Sequence, residues 1–172
     1  MDKNRRQGLK REKPEYDQKL LDLARVTRVV KGGRRFRFRA TLVIGNKKGK
    51  VGVGVGKGAD VSDAIKKAFE DAKKEMIEIK TENNTILHDI FIKKGSAKIL
   101  LKPAKEGRGI VAGGAVRSVM HLAGIKNVVS KSLGTANKLN VARATIEGLK
   151  QLNETRMRNT GKNISKNKGT EI

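Results

Sequence analysis

The chain lacks cysteine and tryptophan, and aromatic residues of every kind are scarce. Its 172 residues include one tyrosine and four phenylalanines. Without cysteine there is no disulfide framework and no thiolate chemistry, which fits a cytosolic protein. Proteins that recognise RNA bases commonly stack them on aromatic rings, so the sequence offers few platforms for that mode of binding.

Long apolar runs are also missing. No run approaches the roughly 18 residues that a membrane-spanning helix needs. The N-terminal segment MDKNRRQGLKREKPEYDQ has no apolar core of the kind found in a secretory signal, and its acidic residues are atypical of a mitochondrial transit peptide. The sequence therefore predicts a cytoplasmic protein that does not contact membranes.

Acidic residues are few and unevenly placed. The chain has 40 lysines and arginines against 17 acidic residues, a formal net charge of +23. No acidic residue occurs between 23 and 59, where eleven residues are basic, or between 107 and 146, where six are. A field of this strength attracts polyanions and repels itself in a bare compact state. The balance therefore predicts a nucleic-acid partner.

The basic residues of the first acid-free stretch are the candidate phosphate ligands, because arginine in particular suits bidentate contact with phosphate. They include Arg25, Arg28, Lys31, Arg34, Arg35, Arg37, Arg39, Lys50 and Lys57. No helix-turn-helix, zinc finger or basic zipper is present to enter a DNA groove. The RNA-recognition signature also fails, since Arg34–Phe38 lacks its glycine. Structured RNA, recognised by its backbone and shape, remains.

Hydrophobic periodicity predicts an N-terminal domain over 20–82, after a basic tail over 1–19. The domain consists of three antiparallel strands and one helix over 60–79, which Asp60 or Ser62 would cap. The strands are Val26–Val30, Phe36–Ile44 and Val51–Gly56. We expect the valine and phenylalanine faces of this sheet to form the domain's own core beneath the helix.

A second module is predicted over 83–155, followed by a polar basic tail over 156–172. Strands are expected over 85–92, 97–102 and 127–133, with one helix ending at Gly124 and a last helix capped by Asn140. The fold class is therefore α+β. The loop Gly107–Gly114 precedes a helix, so it is either a flexible connection or a phosphate site that combines free backbone N–H groups with Arg108.

The Val/Gly alternation at 51–58 invites a nucleotide-binding interpretation. Gly54-x-Gly56-x-x-Ala59 formally fits a dinucleotide fingerprint. However, the alternation continues a hairpin rather than opening a parallel βαβ unit. Glycine is costly in a strand, so a packed helix or a ligand should approach this backbone closely. A nucleotide-dependent enzyme using Gly52–Gly58 is kept as an alternative function.

Other catalytic patterns are lacking. His88 and His121 are the only histidines, and with no cysteine they form no metal-ligand pattern. Ser118 and His121 are three residues apart, which on a helix makes them simple neighbours. The sequence predicts no enzyme, no metal and no cofactor.

Several long motifs resemble one family. They are RVTRVVKGGRRFRF from Arg25, GKVGVGVGK from Gly49, LKPA from Leu101, AGGAVR from Ala112 and NVARAT from Asn140. In this order they resemble the bacterial small-subunit ribosomal protein five family, over about residues 20–155. The resemblance implies a double-stranded-RNA-binding-like N-terminal domain and a C-terminal α/β domain with a left-handed βαβ crossover.

The resemblance also implies function and partners. It implies a structural protein of the small ribosomal subunit that binds ribosomal RNA, touches small-subunit proteins four and eight, stabilises the head relative to the body, and influences translational accuracy together with protein twelve. No self-oligomer is expected. A free double-stranded-RNA-binding chaperone is the second alternative function.

The matched motifs also imply roles for individual residues. The Lys31-Gly32-Gly33 loop matches a family loop that reaches toward the RNA of the neck, near where spectinomycin binds. Gly109 and Arg117 match accuracy-related positions at the interface with protein four. Arg108 and Lys138 depart from the family pattern: the first favours a phosphate contact, and the second replaces a common proline in a turn.

Overall fold

A computed structural model describes residues 15–79 and 84–167. The first part holds strands β1 Asp17–Val30, β2 Gly33–Gly45 and β3 Lys50–Gly58, helix α1 Val61–Lys74 and strand β4 Ile77–Glu78. The second part holds β5 Ile90–Lys94, β6 Ala97–Pro103, β7 Ile110–Val111, α2 Gly114–Ala123, β8 Val128–Ser132 and α3 Lys138–Asn167. The α+β class with two units is confirmed.

The first sheet is antiparallel in the order β1-β2-β3-β4. The predicted helix through residue 79 is wrong, because α1 ends at Lys74 and the chain then pairs Ile77 with Val51 and Glu78 with Lys50. The alternation of Ile77, Glu78 and Ile79 suits a strand, and the Ile79 N–H donates to the Gly49 carbonyl over 2.7 Å.

The predicted domain limits stay predictions, and two elements of the structure extend past them. Residues 1–14 of the predicted tail lie outside the described residues, and β1 begins at Asp17, inside the segment assigned to that tail. Likewise α3 continues to Asn167, past the predicted domain end at 155. The predicted boundary at 82/83 lies outside the described residues.

The glycines of β3 lie directly beneath α1. A Cβ at Gly52, Gly54 or Gly56 would overlap the backbone of α1. The helix presents its alanines here, and their carbonyl oxygens are the nearest atoms; these residues are Ala72, Ala68 and Ala64. The prediction that something approaches this backbone closely is confirmed, and the approaching element is a helix. No space is left between strand and helix for a nucleotide.

The valine face of the sheet, formed by Val43, Val51 and Val53, is fully buried on the opposite side from α1. These valines belong to one hydrophobic cluster with residues of the second unit such as Met120 and Leu149. The prediction that the valine face lies beneath the helix is therefore wrong. The glycine face lies there instead, and alternation places the valines on the other side. Of the phenylalanines in β2, only Phe38 packs on the helix side.

The second sheet has the order β5-β6-β8-β7, and only β7 and β8 are parallel. The unit β7-α2-β8 is thus a βαβ unit, with α2 and α3 packed against each other. Helix α2 ends at Gly124, whose φ is +89° as predicted for a helix stop. The Asn140 cap is wrong, because α3 begins two residues earlier and the Leu139 N–H donates to Asn137 Oδ1 over 3.1 Å.

The two units are joined by backbone hydrogen bonds as well as by a shared core. The turn between β2 and β3 abuts the end of α2, where the N–H groups of Lys47 and Gly49 donate to the carbonyls of Leu122 and Ala123, each over 2.9 Å. The last carbonyls of a helix have no partner within the helix. The first unit therefore supplies the hydrogen-bond donors for the end of α2 in the second unit.

Candidate nucleic-acid interface

The antiparallel ribbon of β1 and β2 has two differently covered halves. In β2, every residue from 40 to 45 is buried, whereas every residue from 33 to 37 is exposed. We call residues 25–38 the distal half and residues 17–24 and 39–45 the proximal half. Because the distal half extends beyond α1 and the second unit, its side chains are available to a partner.

Three arginines of the distal half and one lysine of β3 project from the same face of the sheet. Arg28 pairs across the ribbon with Arg35, and Val26 with Arg37, so the three arginines share the face opposite to α1, together with Lys57 of β3. They surround a groove of about 460 Å³. We call it the ribbon groove; it is lined by Val26, Thr27, Arg28, Val30, Arg35, Arg37 and Lys57. Its lining combines four cations with the apolar residues Val26 and Val30.

The tip of the ribbon is the Lys31-Gly32-Gly33 loop. A Cβ at Gly32 or at Gly33 would meet nothing within 4 Å, and the φ of Gly33 is +144°. The loop is therefore open to a large partner, and Gly33 holds a backbone conformation that favours glycine.

Arg39 marks the border between the two halves. Its Nη2 lies 3.9 Å from Asp22 Oδ2, and Lys138 Nζ of α3 lies 3.0 Å from the other oxygen of the same carboxylate. Arg39 Nε is buried without a hydrogen-bond partner in the described structure. Arg39 is thus less free to bind phosphate than its neighbours. Lys138, the predicted departure from the family's turn, links the two units here.

Lys50 is not brought to the ribbon groove. It lies at the opposite end of β3 from Lys57, roughly 23 Å away for seven residues of strand. Its register partner is Glu78, and its N–H donates to Asn46 Oδ1 over 3.0 Å. A charge count along the sequence grouped Lys50 with the arginines, but the sheet separates them.

Arg25 and Arg34 lie on the other face of the distal half, the side of α1. The guanidinium carbon of Arg25 lies 3.6 Å from the centroid of the Phe36 ring, which is a cation–π contact. Phe36 is 46% exposed. The sequence contained both residues, but their contact requires the strand register, which pairs Phe36 with Thr27 and Phe38 with Arg25.

Gly109 and Arg117, for which the resemblance predicts a role in accuracy, and Arg108, a predicted phosphate contact, belong to the second unit. Gly109 has φ +73°, its N–H donates to Asn127 Oδ1 over 3.1 Å, and its carbonyl accepts from Val128. The loop is therefore held in place rather than loose. Arg108 is exposed beside it, and Arg117 is exposed on the first turns of α2. None of the three lines the ribbon groove.

The described residues give no support to catalysis by the other patterns considered. Ser118 Oγ donates to the Gly114 carbonyl over 2.8 Å, so it serves its own helix rather than His121. Among the described residues, no group of three or more potential metal ligands is placed to hold an ion. No helix within this part of the chain is long and apolar enough to cross a membrane.

Comparison with known proteins identifies the family. Residues 16–80 match the family model "Ribosomal protein S5, N-terminal domain", and residues 92–160 match "Ribosomal protein S5, C-terminal domain". The small ribosomal subunit protein uS5 of Campylobacter jejuni, in strains 81-176 and RM1221, is 54% identical over 138 residues, which cover 80% of this chain and 94% of the relative. The chain therefore belongs to the ribosomal protein S5 family and is, as predicted, a structural protein of the small ribosomal subunit in the cytoplasm and not an enzyme.

Proposed function

We propose that the chain binds ribosomal RNA through the ribbon groove and the Lys31-Gly32-Gly33 loop. One observation carries the proposal: Arg28, Arg35, Arg37 and Lys57 share one exposed face of a stretch that contains no acidic residue from 23 to 59. A cationic face without internal partners needs an anion to offset its self-repulsion.

The geometry suits a phosphate backbone. Arg35 and Arg37 are two residues apart on one strand, so they stand roughly 7 Å apart on the same face. That spacing is comparable to the distance between neighbouring phosphates along one RNA strand. Each guanidinium can donate two parallel hydrogen bonds to a phosphate. The groove therefore favours backbone contact along a strand rather than reading of base sequence.

The test replaces both arginines with glutamine, R35Q/R37Q, in the full-length chain. Both side chains are exposed, so we expect an unchanged thermal midpoint. Affinity for small-subunit ribosomal RNA should fall about 10- to 100-fold, and the slope of log Kd against log salt should drop by about 1.4–1.8, since each of the two lost phosphate contacts removes about 0.7–0.9.

The matched control is K66Q/K67Q, which removes the same charge from the exposed surface of α1. It should change the salt slope by less than half as much as R35Q/R37Q. If the two double variants weakened binding equally, the effect would be general attraction and not a site. If neither weakened it, the ribbon groove would not be the anchor.

We further propose, from the resemblance, that the second unit contributes to translational accuracy and to holding the head relative to the body. In this proposal Arg108 contacts RNA, Gly109 and Arg117 meet protein four, and proteins eight and twelve are the further physical and functional partners. The fixed loop supports a rigid contact at Gly109. Substitution G109A, which strains a φ of +73°, should alter misreading in a reporter assay, whereas G113A, at an open position with φ −62°, should not.

A further inference from the structure

The α1 side of the distal half carries an exposed planar stack. The Arg25 guanidinium lies over the Phe36 ring at 3.6 Å, and both residues are exposed to solvent. No ion pair found among the described residues involves Arg25. The guanidinium therefore lies against the ring, and no acidic partner for its charge is found among these residues.

This stack is not part of the hydrophobic core. Phe38, the next residue on the same face of β2, packs into the cluster beneath α1, whereas Phe36 lies beyond the helix and is 46% exposed. Val29, on the same face of β1, is 74% exposed. An aromatic ring gains less for folding at such a site than in the core, because nearly half of its surface stays in water.

We propose that the Arg25–Phe36 stack is a platform for one unpaired RNA base. Bases released from a helix stack on aromatic rings and on guanidinium planes, and here the ring and the guanidinium are already layered. The base would lie in parallel over the stack, and its charge-carrying backbone would continue toward Arg34 and the tip loop. The inference rests on the proposed function, because it requires that RNA reaches this ribbon.

The surroundings favour RNA over a protein partner. Arg34 lies on the same face, and no acidic residue occurs from 23 to 59. The ribbon is one sheet thick, so the ribbon groove lies directly behind the stack. An RNA strand bound in the groove could therefore pass around the tip loop and reach the platform on the opposite face. One face would hold phosphates, and the other would hold a base.

The test compares F36L with F36Y in the full-length chain, using small-subunit ribosomal RNA transcribed in vitro. F36L keeps apolar volume and loses the ring, while F36Y keeps the ring. We expect F36L to weaken binding about 5- to 100-fold, the range for loss of one stacked base, with an unchanged salt slope. F36Y should bind as the wild type does, and both variants should keep the wild-type thermal midpoint.

Ultraviolet cross-linking gives a second readout. Irradiation of the wild-type complex should attach a nucleotide to the peptide that contains Phe36, and the adduct should be lost in F36L. Wild-type affinity of F36L, or a salt slope altered as in R35Q/R37Q, would overturn the platform while leaving groove binding intact. A cross-link from Phe36 to another protein in assembled subunits would overturn it too. Failure of the wild-type chain to bind RNA would instead overturn the proposed function.

Discussion

The proximal and distal halves of the β1–β2 ribbon are built from the same two strands, yet β2 is buried in the first half and mostly exposed in the second. In the proximal half, α1 covers one face of β2 and the second unit covers the other, so Thr41 and Val43 are as buried as Leu42 and Ile44. In the distal half Phe38 still packs beneath α1, but residues 33–37 lie beyond both covers and are all exposed.

The difference shows that alternation assigns a side chain to a face but does not decide whether that face is buried. Both halves alternate with a period of two residues. What differs is the residue type that each face can tolerate. Burying an unpaired guanidinium costs far more than burying a valine, so the arginines are compatible only with the half that is left uncovered. The ribbon thus joins a stabilising half to a binding half in one element.

The largest contrast should appear when a methyl group is added to one glycine beside the proximal half, Gly54 of β3, which pairs with Leu42, and to one in the distal half, Gly32. G54A places a Cβ against the backbone of α1. Because backbone cannot move aside as a flexible side chain can, the substitution should lower the free energy of unfolding by about 3 kcal/mol or more. G32A at the tip meets nothing within 4 Å and should leave stability within about 0.5 kcal/mol. Urea unfolding measures both. Equal effects would mean that close packing under α1 does not define the proximal half.

Valine truncation should give a smaller contrast. V53A opens a cavity between the units and should cost about 1–3 kcal/mol, while V29A, at a position 74% exposed, should cost about 0.5 kcal/mol or less. Amide hydrogen exchange in V53A tests whether the two units share one core. In V53A the amides of β6, which lies in the other unit, should exchange faster. Acceleration confined to the first sheet would contradict a shared core.

The smallest expected effect is on stability at low pH. Asp17 starts the proximal half, and the hydrogen bond from Lys47, 2.6 Å away, together with that lysine's charge, lowers the pKa of Asp17. The carboxylate therefore contributes stability above its unfolded pKa of about 3.9, and this contribution is lost as the pH falls through the lower folded pKa.

The check is the thermal midpoint between about pH 5 and pH 2. The wild type should lose slightly more stability than D17N over this range. R35Q/R37Q should follow the wild-type profile, because the distal half contains no acidic residue. A D17N profile as steep as that of the wild type would show that the Asp17–Lys47 pair does not contribute.

Much of this structure can be predicted from the sequence. Three of the four strands of the first sheet and its cationic face follow from alternation and from the charge pattern. The close approach over Gly54 follows from the cost of glycine in a strand. Local patterns do not show which face of the sheet packs against α1 and which packs against the second unit. The prediction therefore places the valines on the wrong side of the sheet.

Other errors have the same origin in long-range contacts. The end of α1 depends on pairing between Val51 and Ile77, which are 26 residues apart in the chain. Lys50 stays a predicted phosphate ligand, but the sheet places it at the far end of β3 from the ribbon groove, a separation that a charge count along the sequence does not show. The Arg25–Phe36 stack depends on diagonal neighbours in two strands, which only the register reveals.

The shared core has a consequence for the synthesis of the chain. Val43, Val51 and Val53 are made early, but their partners include Leu149, about 100 residues later. At about 5–20 residues per second, the valine face waits about 5–20 s for its cover. During that interval the nascent chain displays an apolar sheet face beside a dense positive charge. A product truncated between the units would keep that face, and the unpaired N–H groups of Lys47 and Gly49, permanently open to aggregation.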